Sequence, residues 1–182
     1  TGFVVGDRDD LAKLGRLIAD QIVEALTGTR GVSSTELAFI SDRTGTPELF
    51  VMYADGRNQR PATRVNSLKM FPEWMPNGSA ILYIAFARQK PSLFLTSRSP
   101  QVTPGPILQS AFAGRQVIRG RFDPTGEELA VVASVDGAAE IFSVRRQDGK
   151  PRRLTNHPAI DIAPPTLDEI YVGFLRRRSI AP

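Results

Sequence analysis

The sequence contains no cysteine, one histidine and one tryptophan. The first absence removes disulfides, thiolate nucleophiles and cysteine-based zinc sites together, and it suits the periplasm as well as the cytoplasm. With His157 the sole histidine, multi-histidine metal sites are excluded and a Ser-His-Asp triad has only one available base. No apolar run reaches the roughly eighteen residues of a membrane-spanning helix. The opening TGFVVGDRDD lacks a charged stretch followed by an apolar one, so it does not read as a signal peptide. There is no G-x-S-x-G elbow, no G-x-G-x-x-G and no G-x-x-x-x-G-K-[ST], hence neither a hydrolase nucleophile nor a phosphate-cradling loop of those kinds. Asp55, Asp136 and Asp148 each precede a glycine, as turn residues do, and are not spaced like a calcium loop. Neither catalytic residues nor a cofactor or metal site is expected.

What is present is an ordinary soluble composition, 41% apolar and 23% charged, with a net charge of +4. Much of the positive charge lies in small arginine clusters: Arg115, Arg119 and Arg121; Arg145 and Arg146; Arg152 and Arg153; Arg176 to Arg178. A nucleic-acid binder would need such clusters, but solvated strand and loop positions account for them, and nucleic acid is not the expected partner. Near the start, Leu11, Leu14, Ile18, Ile22 and Leu26 recur at three- and four-residue steps, with Leu17 and Val23 beside them. That is the apolar stripe of an amphipathic helix, begun by Asp7, Asp9 and Asp10 at its positive end and stopped at Gly28. The stripe requires something to pack on.

Beyond TRGVSST the pattern changes to short apolar runs separated by turns such as Asp55-Gly56, Asn77-Gly78, Asp136-Gly137 and Asp148-Gly149. LAFIS at Leu37, ILYIA at Ile81 and LAVVA at Leu129 are offset by 44 and 48 residues. ELFVM at Glu48, SLFLT at Ser92 and EIFSV at Glu140 share the same two offsets, so Phe50, Phe94 and Phe142 occupy one repeat position. WMPNG from Trp74 and FDPTG from Phe122 lie 48 apart, and Thr63 and Thr155 lie 92 apart. A unit of 40 to 50 residues holding about four short strands is the signature of a β-propeller blade. Because Phe50, Phe94, Phe142 and Trp74 recur by position, they read as inter-blade packing. The expected fold is mainly β: a partial propeller of about three antiparallel four-stranded blades, preceded by one amphipathic helix.

SDRTGTPELFVMYADGRNQR, RRLTNHPAID and the junction LGRLIADQIVEALTGTRGVSSTELAFIS resemble the TolB family, from about Leu11 to Asp161. The resemblance implies a strand and helix over 1–34, the remnant of that family's N-terminal α/β domain. Three blades then follow over 35–163, at about 35–72, 73–120 and 121–163. Residues 164–182 are a degenerate start of a fourth blade and a basic tail. The middle unit departs from the pattern, with QVTPGPILQSAFAGRQV in place of the Asp-Gly turn. Three and a fraction blades do not close a ring, since propellers carry about four to eight. Either the helix caps one flank, two chains associate through the exposed flanks, or the chain is a piece of a longer protein, the last being favoured.

Family resemblance also supplies the expected function: a non-enzymatic interaction module of the periplasmic Tol-Pal system, binding a Pal-like peptidoglycan-associated lipoprotein. The repeat places the loops entering each innermost strand at 66–70, 114–118 and 157–161, around the propeller axis. Ser67, Lys69, Arg115, Arg119, His157 and Asp161 are the polar contacts expected there. The alternative is the non-catalytic propeller of a peptidase or sensor protein.

Overall fold

The computed structural model describes residues 8–64, 67–87, 89–97 and 105–157. The expected strand at Gly2–Val5, Asp7, Asp161 and the fourth-blade remnant lie outside the described residues. Among the described residues a helix, α1, spans Arg8–Thr27, and eleven strands follow. The helix ends as the sequence predicts: Gly28, at φ 71°, donates its amide to the Glu24 carbonyl at 2.8 Å.

The strands form three antiparallel sheets in sequence order. The first joins β1 (Glu36–Ser41), β2 (Glu48–Tyr53) and β3 (Arg60–Pro61). In the second, β4 (Lys69–Trp74), β5 (Ala80–Ala87), β6 (Lys90–Ser97) and β7 (Gly105–Pro106) lie side by side. The third contains β8 (Val117–Phe122), β9 (Glu128–Val135), β10 (Ala138–Arg145) and β11 (Pro151–Arg153). The first sheet thus has three strands where four are expected, among the described residues. Strands β4 and β8 cross the anticipated limits at 72/73 and 120/121 and pair with the strands after them. The reason is local. The W-x-P-x-G and F-x-P-x-G turns close β4–β5 and β8–β9 hairpins, with Met75 and Asp123 amides bonded across to Ala80 and Glu128 carbonyls at 2.9 Å. Gly78 and Gly126 take φ of 68° and 76°, where a side chain is disfavoured.

Successive sheets pack face to face through the alternation of each strand. Leu49 and Val51 meet Ile81, Tyr83 and Ala85 between the first and second sheets. Leu82, Ile84 and Leu93 meet Val117, Phe122, Leu129, Val131, Phe142 and Val144 between the second and third. Phe94 packs against the first of these cores and Phe142 lies in the second, each facing the sheet before its own. Phe50, between Leu49 and Val51 on its strand, instead faces away from the second sheet. Phe50 stacks on Phe39 at 5.8 Å and Phe94 on Tyr83 at 5.7 Å, each within its own sheet.

The helix does not cap the first sheet with its apolar stripe. Leu11, Leu14, Ile18, Ile22 and Leu26 are all exposed, Leu26 by 80%. Its polar face docks instead. Arg16 pairs with Asp55 at 2.9 Å and lies 3.8 Å from the centroid of the Tyr53 ring. One turn on, Asp20 accepts the amides of Ser33 and Ser34 at 2.6 and 2.9 Å, together with the Ser34 hydroxyl. The Ser34 hydroxyl leads the contacts that hold the Asp20 carboxyl below its usual range. A Cβ at Gly31 would lie 2.6 Å from the Asp20 Cα, so only glycine lets the helix and this loop approach so closely.

Candidate functional site: the crossover loops

After each of the first two sheets the chain leaves its outermost strand and crosses back to begin the next sheet. A buried carboxylate holds the stretch after the first sheet, and another holds the stretch that leaves the third. In the first, Glu48 accepts the Thr63 hydroxyl at 2.5 Å and pairs with Lys69 at 3.0 Å, while Thr63 accepts the Leu49 amide at 3.2 Å. In the third sheet, Glu140 accepts the Thr155 hydroxyl, the His157 amide at 2.6 Å and the Arg153 guanidinium at 2.9 Å. Thr155 in turn accepts the Ile141 amide at 2.9 Å. Burial pushes the Glu140 pKa up, but the Thr155, His157 and Arg153 donors outweigh it and hold the carboxyl at about 2.

These clamps decide where the anticipated contact residues lie. Lys69 is 2% exposed, so it is a structural cation and not a surface contact. Its ammonium turns inward to Glu48 and to the Ser67 carbonyl at 3.0 Å. Ser67 is half-buried and contributes that backbone oxygen. Arg115 is exposed, its guanidinium 5.3 Å from the Phe142 ring centroid. His157 is also exposed, with Nδ1 3.5 Å from Glu140. They meet β10 at residues two apart on the strand, Arg115 at Phe142 and His157 at Glu140. Arg119 is separate. It lies half-buried on the innermost strand β8, 5.4 Å from the Phe71 ring centroid. Asp161 lies outside the described residues.

Sequence reasoning did not single out the inner wall on which Arg119 sits. Arg121 reaches Glu73 of β4 at 3.4 Å, and Phe71 beside it has a φ of 55°, rare for a non-glycine residue. Burial raises the Glu73 pKa against the pull of Arg121 and Arg119. The clamps had a visible signal: Glu48 with Thr63 and Glu140 with Thr155 keep the same spacing of 15 residues.

Three sheets built from one repeated unit and packed face to face define a propeller-type repeat protein, open at both flanks among the described residues. Comparison with known proteins narrows the class. Residues 23–171 match the TolB beta propeller domain family, and the chain belongs to that family. The Tol-Pal system protein TolB of Bordetella pertussis (strain Tohama I) is 35% identical over 179 residues, covering 97% of this chain and 40% of that protein. The namesake from Anaeromyxobacter dehalogenans (strain 2CP-1) is 28% identical over 158 residues, covering 87% and 35%. The crystal structure of TolB from Acinetobacter baumannii superposes with a TM-score of 0.65 at 24% identity, over 82% of this chain and 37% of that one. The chain thus spans well under half the length of these relatives.

Proposed function

We propose that this chain is a non-enzymatic interaction module of the Tol-Pal cell-envelope system. It works in the periplasm and binds a Pal-like peptidoglycan-associated lipoprotein through its crossover loops. The observation that carries this reading is the pair Arg115 and His157, held outward at β10 by Phe142 and the Glu140 clamp. A preordered pair of polar groups beside an apolar core suits a protein surface, since little side-chain freedom remains to be lost on binding. Ser67 and Arg119 extend the face toward the inner wall, and Lys69 supports it from beneath. No described helix is long and apolar enough to cross a membrane.

Light scattering on the chain, alone and mixed with the soluble domain of a Pal protein, tests the reading. A complex is expected with the parent chain, weakened about tenfold or more by the Arg115→Glu/His157→Ala double variant. A double variant that binds as well as the parent refutes this face. A chain that associates with itself and ignores Pal would show the open blade flanks to be the operative surface instead.

A further inference from the structure

The middle repeat breaks the carboxylate clamp. Strand register sets Phe50 opposite Pro61, Phe94 opposite Pro106 and Phe142 opposite Arg153. Counting from those pairs, Ser92 stands where Glu48 and Glu140 stand, and Leu108 where Thr63 and Thr155 stand. The following crossover is longer as well, nine residues from Leu108 to Val117 against six from Thr63 to Lys69. It begins with Leu108 at a φ of 57° and folds as a run of turns that drives Phe112 into the core, edge-on to Phe142 at 5.4 Å.

A cleft of about 560 Å³ lies between the start of β6 and this crossover, with Lys90, Ser92, Leu108, Gln109, Phe112 and Arg115 in its walls. Lys90 and Arg115 are both exposed, and neither has a carboxylate partner among the described residues. Elsewhere in the molecule the same place in the repeat is filled by a glutamate of the chain itself, facing Lys69 in one copy and Arg153 in another. The middle copy has Pro106 in place of Arg153 and Val117 in place of Lys69, and loses the acid as well, but its cleft gains two cations from other positions, Lys90 and Arg115. We propose that this cleft receives a glutamate or aspartate side chain from an acidic segment of a protein partner, which replaces the internal carboxylate of the other repeats.

The chemistry is suited to that ligand. Arg115 offers a planar fork for two carboxylate oxygens, and its position over the Phe142 ring limits the freedom it must lose. Lys90 adds charge, while the Ser92 hydroxyl and the Gln109 amide add donors. Leu108 and Phe112 make one wall apolar, which strengthens charged hydrogen bonds beside it. For its partner, though not for its ligand chemistry, the proposal rests on the reading that the crossover face docks a Pal-like protein.

The test is an NMR titration of the full chain with three blocked peptides: Ac-Gly-Glu-Gly-NH2, its Gln analogue, and Ac-Gly-Gly-Gly-OH with a free terminal carboxylate. The Glu peptide is expected to shift the amides of 90–93 and 107–117, with the Gln analogue about tenfold weaker. Arg115→Ala should lose a similar factor, and Arg57→Ala, an exposed cation beyond β2 and outside the cleft, should lose none. Ser92→Glu places a carboxylate of the chain beside Lys90 and Arg115 and should abolish peptide binding. Equal binding of the Glu and Gln peptides, shifts that map elsewhere, or unchanged binding by the Ser92→Glu chain would each overturn the proposal. Equal binding of the free-terminus peptide would overturn its assignment to a side chain. If the Glu peptide binds in the cleft and a Pal domain fails to displace it, the cleft stands and the Pal reading falls.

Discussion

At the scale of single residues, the most consequential group is a buried acid. Glu140 is fully enclosed and ionised, and its donors are Arg153 at the end of β11 and Thr155 and His157 in the segment that follows. Because its folded pKa is depressed from 4.5 to about 2, it stabilises the fold fully above pH 4.5. That contribution is lost as the pH falls from about 4.5 toward 2, where the folded carboxyl also protonates. Asp20 and Asp123 are shifted in the same direction and steepen the loss, whereas Glu73, shifted upward, opposes it. Urea unfolding at pH 7, 4 and 2.5 should show stability falling across the lower interval. Glu140→Gln should cost about 2 kcal/mol at pH 7, the worth of a charge-assisted hydrogen bond, and flatten the acid dependence. A variant as acid-sensitive as the parent would show that other carboxylates govern the transition. Lys69 shows the limit of reading such groups from sequence. Lysine is almost always exposed, and the partner that buries this one, Glu48, is 21 residues away.

At the scale of elements, α1 is attached through its charged side and leaves its apolar side open. Two contrasting outcomes follow. Gly31→Ala would bring a methyl group against the Asp20 backbone and should undock the helix, at a cost of about 1–3 kcal/mol. Limited proteolysis, with faster cleavage near 28–35, would reveal it. Ile22→Ser and Leu26→Ser remove exposed apolar groups and should change stability by less than about 0.5 kcal/mol, against about 2–5 kcal/mol for Leu49→Ala in the core. Thermal melts of the three variants decide the matter. A large loss from Ile22→Ser would mean that the stripe has an intramolecular partner after all.

The helix itself was legible, from the three- and four-residue spacing of its leucines and isoleucines. Its rotation was not, because an apolar stripe ordinarily faces inward. Here Arg16 and Asp20, a turn apart on the opposite face, make specific bonds to Asp55 and to the Ser33–Ser34 turn. The strands were more legible. Phe50, Phe94 and Phe142 announced the repeat because each takes the same place on the second strand of its sheet; Phe94 and Phe142 there face the sheet before their own, while Phe50 stacks on Phe39 of its own sheet. The limits between sheets were less so. A Pro-Gly turn marks where a hairpin bends, and the strand before it belongs with the strand after it.

At the scale of the whole molecule, the two inter-sheet cores are unequal. Among the described residues, thirteen buried ones join the second and third sheets, with Phe112 and Phe122 among them. Five such residues join the first and second. In a repeat protein each unit is stabilised by its neighbours, so the unit with the smaller interface opens first. Native-state hydrogen exchange should therefore give lower opening free energies for β1 and β2 than for β9 and β10. Equal protection across all three sheets would mean that they unfold as one cooperative block.

The docking of α1 also has a mechanical consequence. A helix held by an ion pair at Arg16 and a three-donor socket at Asp20 cannot swivel about its own axis without breaking one of them. Its outward stripe is consequently set at a fixed bearing to the first sheet. Any body seated on that stripe would be aimed, not merely tethered, and a pull on it would reach the propeller first at Asp55 and at the Ser33–Ser34 turn.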